Sequence, residues 1–206
     1  MRARALALVL LLLAPAPSAR ALLLDALVAR VDGKAVTWSQ VVRETRVRRL
    51  EGRPESERLP RVVRDALVRR KLLVAEALRL RMSAEPGEVD ERLAALRRRV
   101  GSGFEARMKA LGLTPEDLRA RERDILLMEK YLRFRREITF VPTSAVTAFY
   151  RKNRDRLAAW TLAEVRAELR RYLTEKKYQR ELEEWYERQV REGRVDLLPL
   201  PEESAP

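Results

Sequence analysis

Cysteine and histidine are both absent from the 206 residues. Their absence excludes a Ser-His-Asp triad, a Cys-His nucleophile, a thiolate zinc site, a c-type haem, disulfides and lipidation on cysteine. Carboxylate, lysine, tyrosine and serine chemistry survive, but none has a spacing signature here. A Gly-x-x-x-x-Gly-Lys phosphate loop is also missing, so nothing indicates a nucleotide site. Aromatics are few, at 6%, and there are 7 glycines. Scarce glycine beside abundant Leu, Ala, Arg and Glu points to a mainly helical chain. The composition, 46% hydrophobic and 36% charged, is that of a chain able to build a core.

The stretch from Arg61 to Met82 has no proline or glycine, and we expect it to be the central helix. Val63, Leu67, Val74 and Leu78 recur at helical spacing, and Ala66, Leu73, Ala77 and Leu80 form a second stripe beside them. Two adjoining apolar stripes require cover from more than one neighbour.

The N-terminus reads as a secretory leader over residues 1–21. Arg2 and Arg4 precede an apolar run from Ala5 to Ala14, and Ala19-Arg20-Ala21 has the small-x-small cleavage pattern, with cleavage expected after Ala21. The run falls short of the ~20 residues of a membrane helix. A periplasmic location follows as the expectation.

Ala26 to Val31 is β-prone and closes on Asp32-Gly33, a two-residue hairpin signal, with Lys34 to Val36 as the returning strand. Thr37 with Gln40, Ser102 with Glu105, and Thr161 with Glu164 fit capping boxes. Thr114-Pro115 followed by acids is a further helix start. Helices are expected from Thr37 to about Glu51, Pro86 to Val100, Phe104 to Leu111, Thr114 to Ile138, around Val146 to Tyr150, and from Thr161 to about Glu192. Leu118, Ile125, Met128 and Leu132 are expected to face inward, and Trp38, Trp160 and Trp185 to anchor packing. Arg194 to Leu198 reads as a last strand, pairing with the first. The fold class is therefore mainly α, with a long C-terminal helix and a small sheet formed by the N- and C-terminal strands. The domain spans 22–198, its N-terminal part 22–152 joined to a C-terminal helix and strand over 161–198, with a flexible tail at 199–206.

The order of these parts resembles the N-terminal chaperone domain of SurA-type periplasmic folding factors, a trigger-factor-like peptide-binding domain. The resemblance rests on the Val31-to-Thr37 entry, the Ala66-to-Ala77 run, the Gly112-to-Leu118 turn, Val141 to Val146, and the closing helix and strand from Thr161 to Leu198. Members of that family usually carry a parvulin isomerase domain before the last helix. Here Tyr150 to Trp160 joins the parts directly, too short a gap for roughly 100 residues. The resemblance implies an ATP-independent holdase that keeps unfolded outer-membrane or secreted proteins from aggregating, without isomerase or other enzyme activity and with no cofactor or metal.

Such a chaperone needs a concave apolar surface that adapts to many sequences. Flexible, polarizable methionine suits that role, so Met82, Met108 and Met128, with Phe104 and Leu111, are the candidate lining; for each, ordinary core burial is the competing account. The formal charge is +13, or +10 without Arg2, Arg4 and Arg20. The clusters Arg69 to Lys71, Arg97 to Arg99 and Arg133 to Arg136 fall on three expected helices among acids, which argues against nucleic acid. Steering of acidic clients, or transient contact with an anionic membrane face, suits this charge better. Exchange of the terminal helix in a homodimer stays open. The alternatives to a holdase are a helical adaptor for one partner, and an electrostatic binder of anionic lipid or nucleic acid.

Overall fold

The computed structural model describes residues 25–53 and 59–201; the expected leader and its cleavage point lie outside them. Strand β1 (Leu27–Val31) turns through Asp32 and Gly33, both at positive φ (49° and 74°), into β2 (Lys34–Thr37). This is the I′-type geometry that the Asp-Gly pair favours. Seven helices follow: α1 (Trp38–Leu50), α2 (Leu59–Arg79), α3 (Pro86–Val100), α4 (Phe104–Ala110), α5 (Pro115–Glu137), α6 (Thr143–Lys152) and α7 (Leu162–Arg191). Strand β3 (Val195–Leu197) then pairs antiparallel with β1, giving the order β2-β1-β3. The mainly helical fold, the long last helix and the sheet joining both ends are all as the sequence implied.

Arg194 clasps that sheet. Its guanidinium donates to both carboxylate oxygens of Asp32, at 2.6 and 2.8 Å, and approaches Glu76 of α2 at 2.7 Å. The Arg194 bond holds the Asp32 carboxyl below the usual carboxylate range.

Helix α2 packs against β1, α1 and α5 at the centre of the largest apolar cluster. Its buried face is broader than two simple stripes, since Val68 and Leu72 are fully enclosed. Ala66 and Leu78, both placed inward by periodicity, are exposed. The helix also stops sooner than expected, leaving Leu80 exposed beyond its end. Arg81 takes a left-handed conformation (φ 57°), the Met82 amide reaches back to the Ala77 carbonyl and that of Arg81 to Leu78, a Schellman-type stop made without glycine.

A second cluster gathers Val47 and Leu50 of α1, Leu96 of α3, Phe104 and Met108 of α4, and Leu118 of α5. A third, smaller one lies between α6 and the N-terminal half of α7.

Helix starts divide into two kinds. Thr161 with Glu164 forms the expected reciprocal box, and the expected helix start at Thr114 turns out to be one too, with Asp117. The other two expected boxes are absent. Gly103 at φ 82° caps α4 in place of Ser102. At α1, Thr37 is the N-cap residue, but Asp25 does the bonding, accepting from the Ser39 amide (2.9 Å) and hydroxyl (2.5 Å). The Ser39 hydroxyl bond is the main reason the Asp25 carboxyl sits below its ordinary range. Asp25→Ala is expected to destabilise the fold by about 1 kcal/mol, the usual cost of a lost cap, read from the urea midpoint.

Helix α5 is rotated from its expected register. Leu118 is buried, but Ile125, Met128 and Leu132 are only half-buried, while Glu122, Leu126, Leu127 and Tyr131 are enclosed. Glu122 is held by Arg92 (3.1 Å) and Arg121 (2.8 Å). Paired charge is what permits a carboxylate there. Trp185 is buried and Trp38 packs on the central cluster, whereas Trp160 is half exposed and is no packing anchor. The chain past β3 is not free immediately: Leu200 is buried in the central cluster.

Candidate binding groove

The five residues proposed as cleft lining do not meet on one surface. Gly101 and Gly103, both at φ near 80°, turn α4 back so that Phe104 and Met108, one helical turn apart, point into the second cluster, each 7% exposed. Leu111 is half-buried against the same cluster. A small depression of about 260 Å³ lies over Phe104 and Met108, walled by Leu93, Arg97 and Leu118. Met82 and Met128 are half-buried against the central cluster instead. All five positions thus pack in or against a core, and a continuous apolar cleft has to be sought elsewhere.

Two larger concavities differ in chemistry. One, of about 380 Å³ among α1, α2 and α5, is charged. Glu44 there accepts from Arg70 at 2.5 Å and Arg121 at 3.0 Å. Burial opposes charge on Glu44, but its two arginines outweigh that and hold its carboxyl below the ordinary range. On the same walls, burial lowers the Lys71 ammonium and raises the Asp124 carboxyl. Most of this cleft's charge is therefore taken up in internal pairing, and it offers less apolar surface than the groove between α6 and α7.

The other concavity is an open groove of about 640 Å³ between α6 and α7. Its walls are Val141, Ala145, Ala148 and Phe149 on one side and Leu173 on the other. The amphipathic turn pattern of α6 explains the arrangement. Val146 and Tyr150 face the small core and are buried, which leaves Ala145 and Ala148 open to solvent on the adjoining face. Small side chains at these two positions are what create the hollow.

The groove's shape is fixed by bonds on every side. The Lys177 ammonium donates to the Phe140 carbonyl (2.8 Å), and Arg170 to the Thr143 hydroxyl (2.9 Å), tying α7 to the start of α6. At the other end the Tyr150 hydroxyl donates to the Trp160 carbonyl at 2.8 Å, closing the short turn between α6 and α7. Phe149 rests against Tyr172 with ring centroids 5.7 Å apart. The strip leading in from α5 is unusually apolar for a surface, with Ile138 59% and Phe140 70% exposed. Exposed large apolar groups beside a concave apolar wall mark a binding surface more often than a solvated face.

None of the groove residues was singled out in the sequence. Each is unremarkable alone, and the usable signal was the pair of large apolar residues, Ile138 and Phe140, next to a helix-starting proline. Among the described residues no helix is long and apolar enough to cross a membrane, and no acidic group is placed to hold a metal ion. Comparison of the chain with protein-family models, curated proteins and solved structures yields no match.

Proposed function

We propose that this protein is an ATP-independent holdase that reversibly captures apolar segments of unfolded chains in the α6–α7 groove. The observation that carries the proposal is the groove itself: a rigidly framed apolar hollow with exposed Phe140 and Ile138 leading into it. Its two alanine positions leave room for side chains of differing size, as a non-selective binder requires. The resemblance to SurA-type factors supports the same reading and adds its setting, with outer-membrane or secreted proteins as the clients. The direct junction at Tyr150 to Trp160 argues for capture without isomerisation.

The test uses an unfolded outer-membrane β-barrel protein diluted from urea, with light scattering followed at low and high salt. Suppressed scattering in both is the expected result, because apolar burial is not screened. The double variant Ala145→Gln/Ala148→Gln places polar chains across the hollow from exposed helix positions. It is expected to raise the protein needed for half-suppression about fivefold, the effect of losing about 1 kcal/mol. No suppression in either salt, combined with saturable binding to one folded protein, would replace the holdase by an adaptor.

A further inference from the structure

The groove is apolar at its floor but surrounded by one sign of charge. Lys152 from α6 and Lys176, Lys177 and Arg180 from α7 stand around it, and no carboxylate lies on its walls. The three other principal concavities all carry Asp or Glu among their walls. The rim cations are also poorly neutralised. Lys152 and Lys176 have no ion pair among the described residues, and the carboxylates nearest Lys177 and Arg180 are loose partners one turn on, Glu181 at 3.6 Å and Glu184 at 3.7 Å, with Lys177 otherwise bonded to the neutral Phe140 carbonyl. Arg70, Arg92 and Arg121, by contrast, each have a carboxylate within 2.8 Å. From Val141 to Arg180 the chain has ten Lys and Arg against four Asp and Glu. This stretch thus carries a net +6 of the formal +13, and its cations line the opening of the apolar groove.

We infer that the groove selects extended polypeptide segments in which an apolar anchor is flanked by aspartate or glutamate. This rests on the holdase reading and specifies its substrate class. The apolar side chain enters the hollow over Ala145 and Ala148, and acidic flanks reach the lysines on either helix. Rim charges of this kind govern encounter and discrimination between partners more than the burial that holds the complex together. A segment with basic flanks meets like charge on both sides of the groove and is rejected, although its anchor fits equally well.

Two labelled peptides with the same Phe-Leu centre test this, one with three acidic residues on each side and one with three lysines. Fluorescence anisotropy with the full-length protein gives Kd at 50 mM and 500 mM salt. The acidic peptide is expected to bind about 10-fold more tightly at low salt, equivalent to about 1.4 kcal/mol, with the gap closing as salt rises. Lys152→Glu/Lys176→Glu leaves Lys177 and Arg180 against two carboxylates at the rim and is expected to abolish the preference between the two peptides. Both side chains are solvent-facing and without an ion pair among the described residues, Lys176 having only the Tyr172 ring at 5.9 Å, so circular dichroism should remain that of the parent; the milder Lys152→Gln/Lys176→Gln provides the same test at half the charge change.

Equal affinity for the two peptides overturns the inference while leaving the holdase intact. A preference that survives both double variants also overturns it, because the discrimination then lies elsewhere. Binding to phosphatidylglycerol vesicles without binding to either peptide overturns it in favour of a membrane surface. Failure to bind either peptide, together with no suppression of aggregation, removes the holdase reading as well.

Discussion

Replacing Arg121 with methionine is expected to cost about 3–5 kcal/mol of folding stability, the range for removing one partner of a buried ion pair. Arg121 is 11% exposed and serves three carboxylates, two at α1 and one on its own helix. It meets Glu44 of α1 at 3.0 Å, Glu51 just past α1 at 3.3 Å, and Glu122 of α5 at 2.8 Å. Methionine keeps the length and the apolar stem but leaves Glu44 and Glu122 with weaker compensation in a dry setting. The urea midpoint should fall with little change in slope, since the same surface is exposed on unfolding.

The network also fixes an acid limb. The Glu44 carboxyl is depressed in the fold, so its contribution is present above the unfolded carboxylate range and is lost as pH falls through the folded value. Stability measured from pH 7 down to pH 3 should decline in the parent protein. Glu44→Gln should begin lower and decline less steeply, because the group that titrates has been removed. A parallel decline in both would place the acid sensitivity at other carboxylates.

The second large effect is expected at Trp185. It is the main anchor by which the C-terminal half of α7 docks on the core, 9% exposed with its ring 6.3 Å from that of Tyr131. Arg135 lies 5.9 Å from the same ring. Trp185→Ala is expected to destabilise by about 3–5 kcal/mol, from the lost burial and the cavity left behind. Emission supplies a second readout. Trp185 is enclosed and Trp160 half exposed, so the alanine variant should lose the blue side of the folded emission and keep the red side. Trp185→Phe refills most of the volume and should recover more than half of the loss.

What could be read from the sequence was what is decided within a few residues. Asp32-Gly33, Thr114-Pro115 and Thr161-Glu164 bring their own turn and cap chemistry, and each behaves as its neighbours dictate. The long helix needed only its cap at Thr161 and its stop at Gly193. Some misreadings arise from partners distant in the chain. Thr37 has the right flanks for a box, but Asp25, fourteen residues before Ser39, caps the helix by taking the Ser39 amide. Glu122 looks like a surface residue until Arg92 arrives from α3 to join its chain neighbour Arg121. Methionine softness pointed to Met108 and Met82, yet the glycines around α4 and the backward turn at Arg81 send both toward cores. The groove was hidden for the opposite reason: its hollow is made by the smallness of Ala145 and Ala148, which carries no periodic signal.

The pairing of β1 with β3 sets a schedule for the chain as well as a shape. Asp32 and Arg194 meet across 162 residues of sequence, so the first strand exists long before its second neighbour. A chain emerging N-terminus first holds β1 and β2 as a hairpin with one bare edge until the last helix has been delivered. Closing so long a loop is slow, because its entropy is lost before any pairing is gained. The clasp at Arg194 is therefore a late event. Until it forms, the protein is itself an incomplete chain with an open sheet edge, exposed to the same aggregation it is proposed to prevent in others.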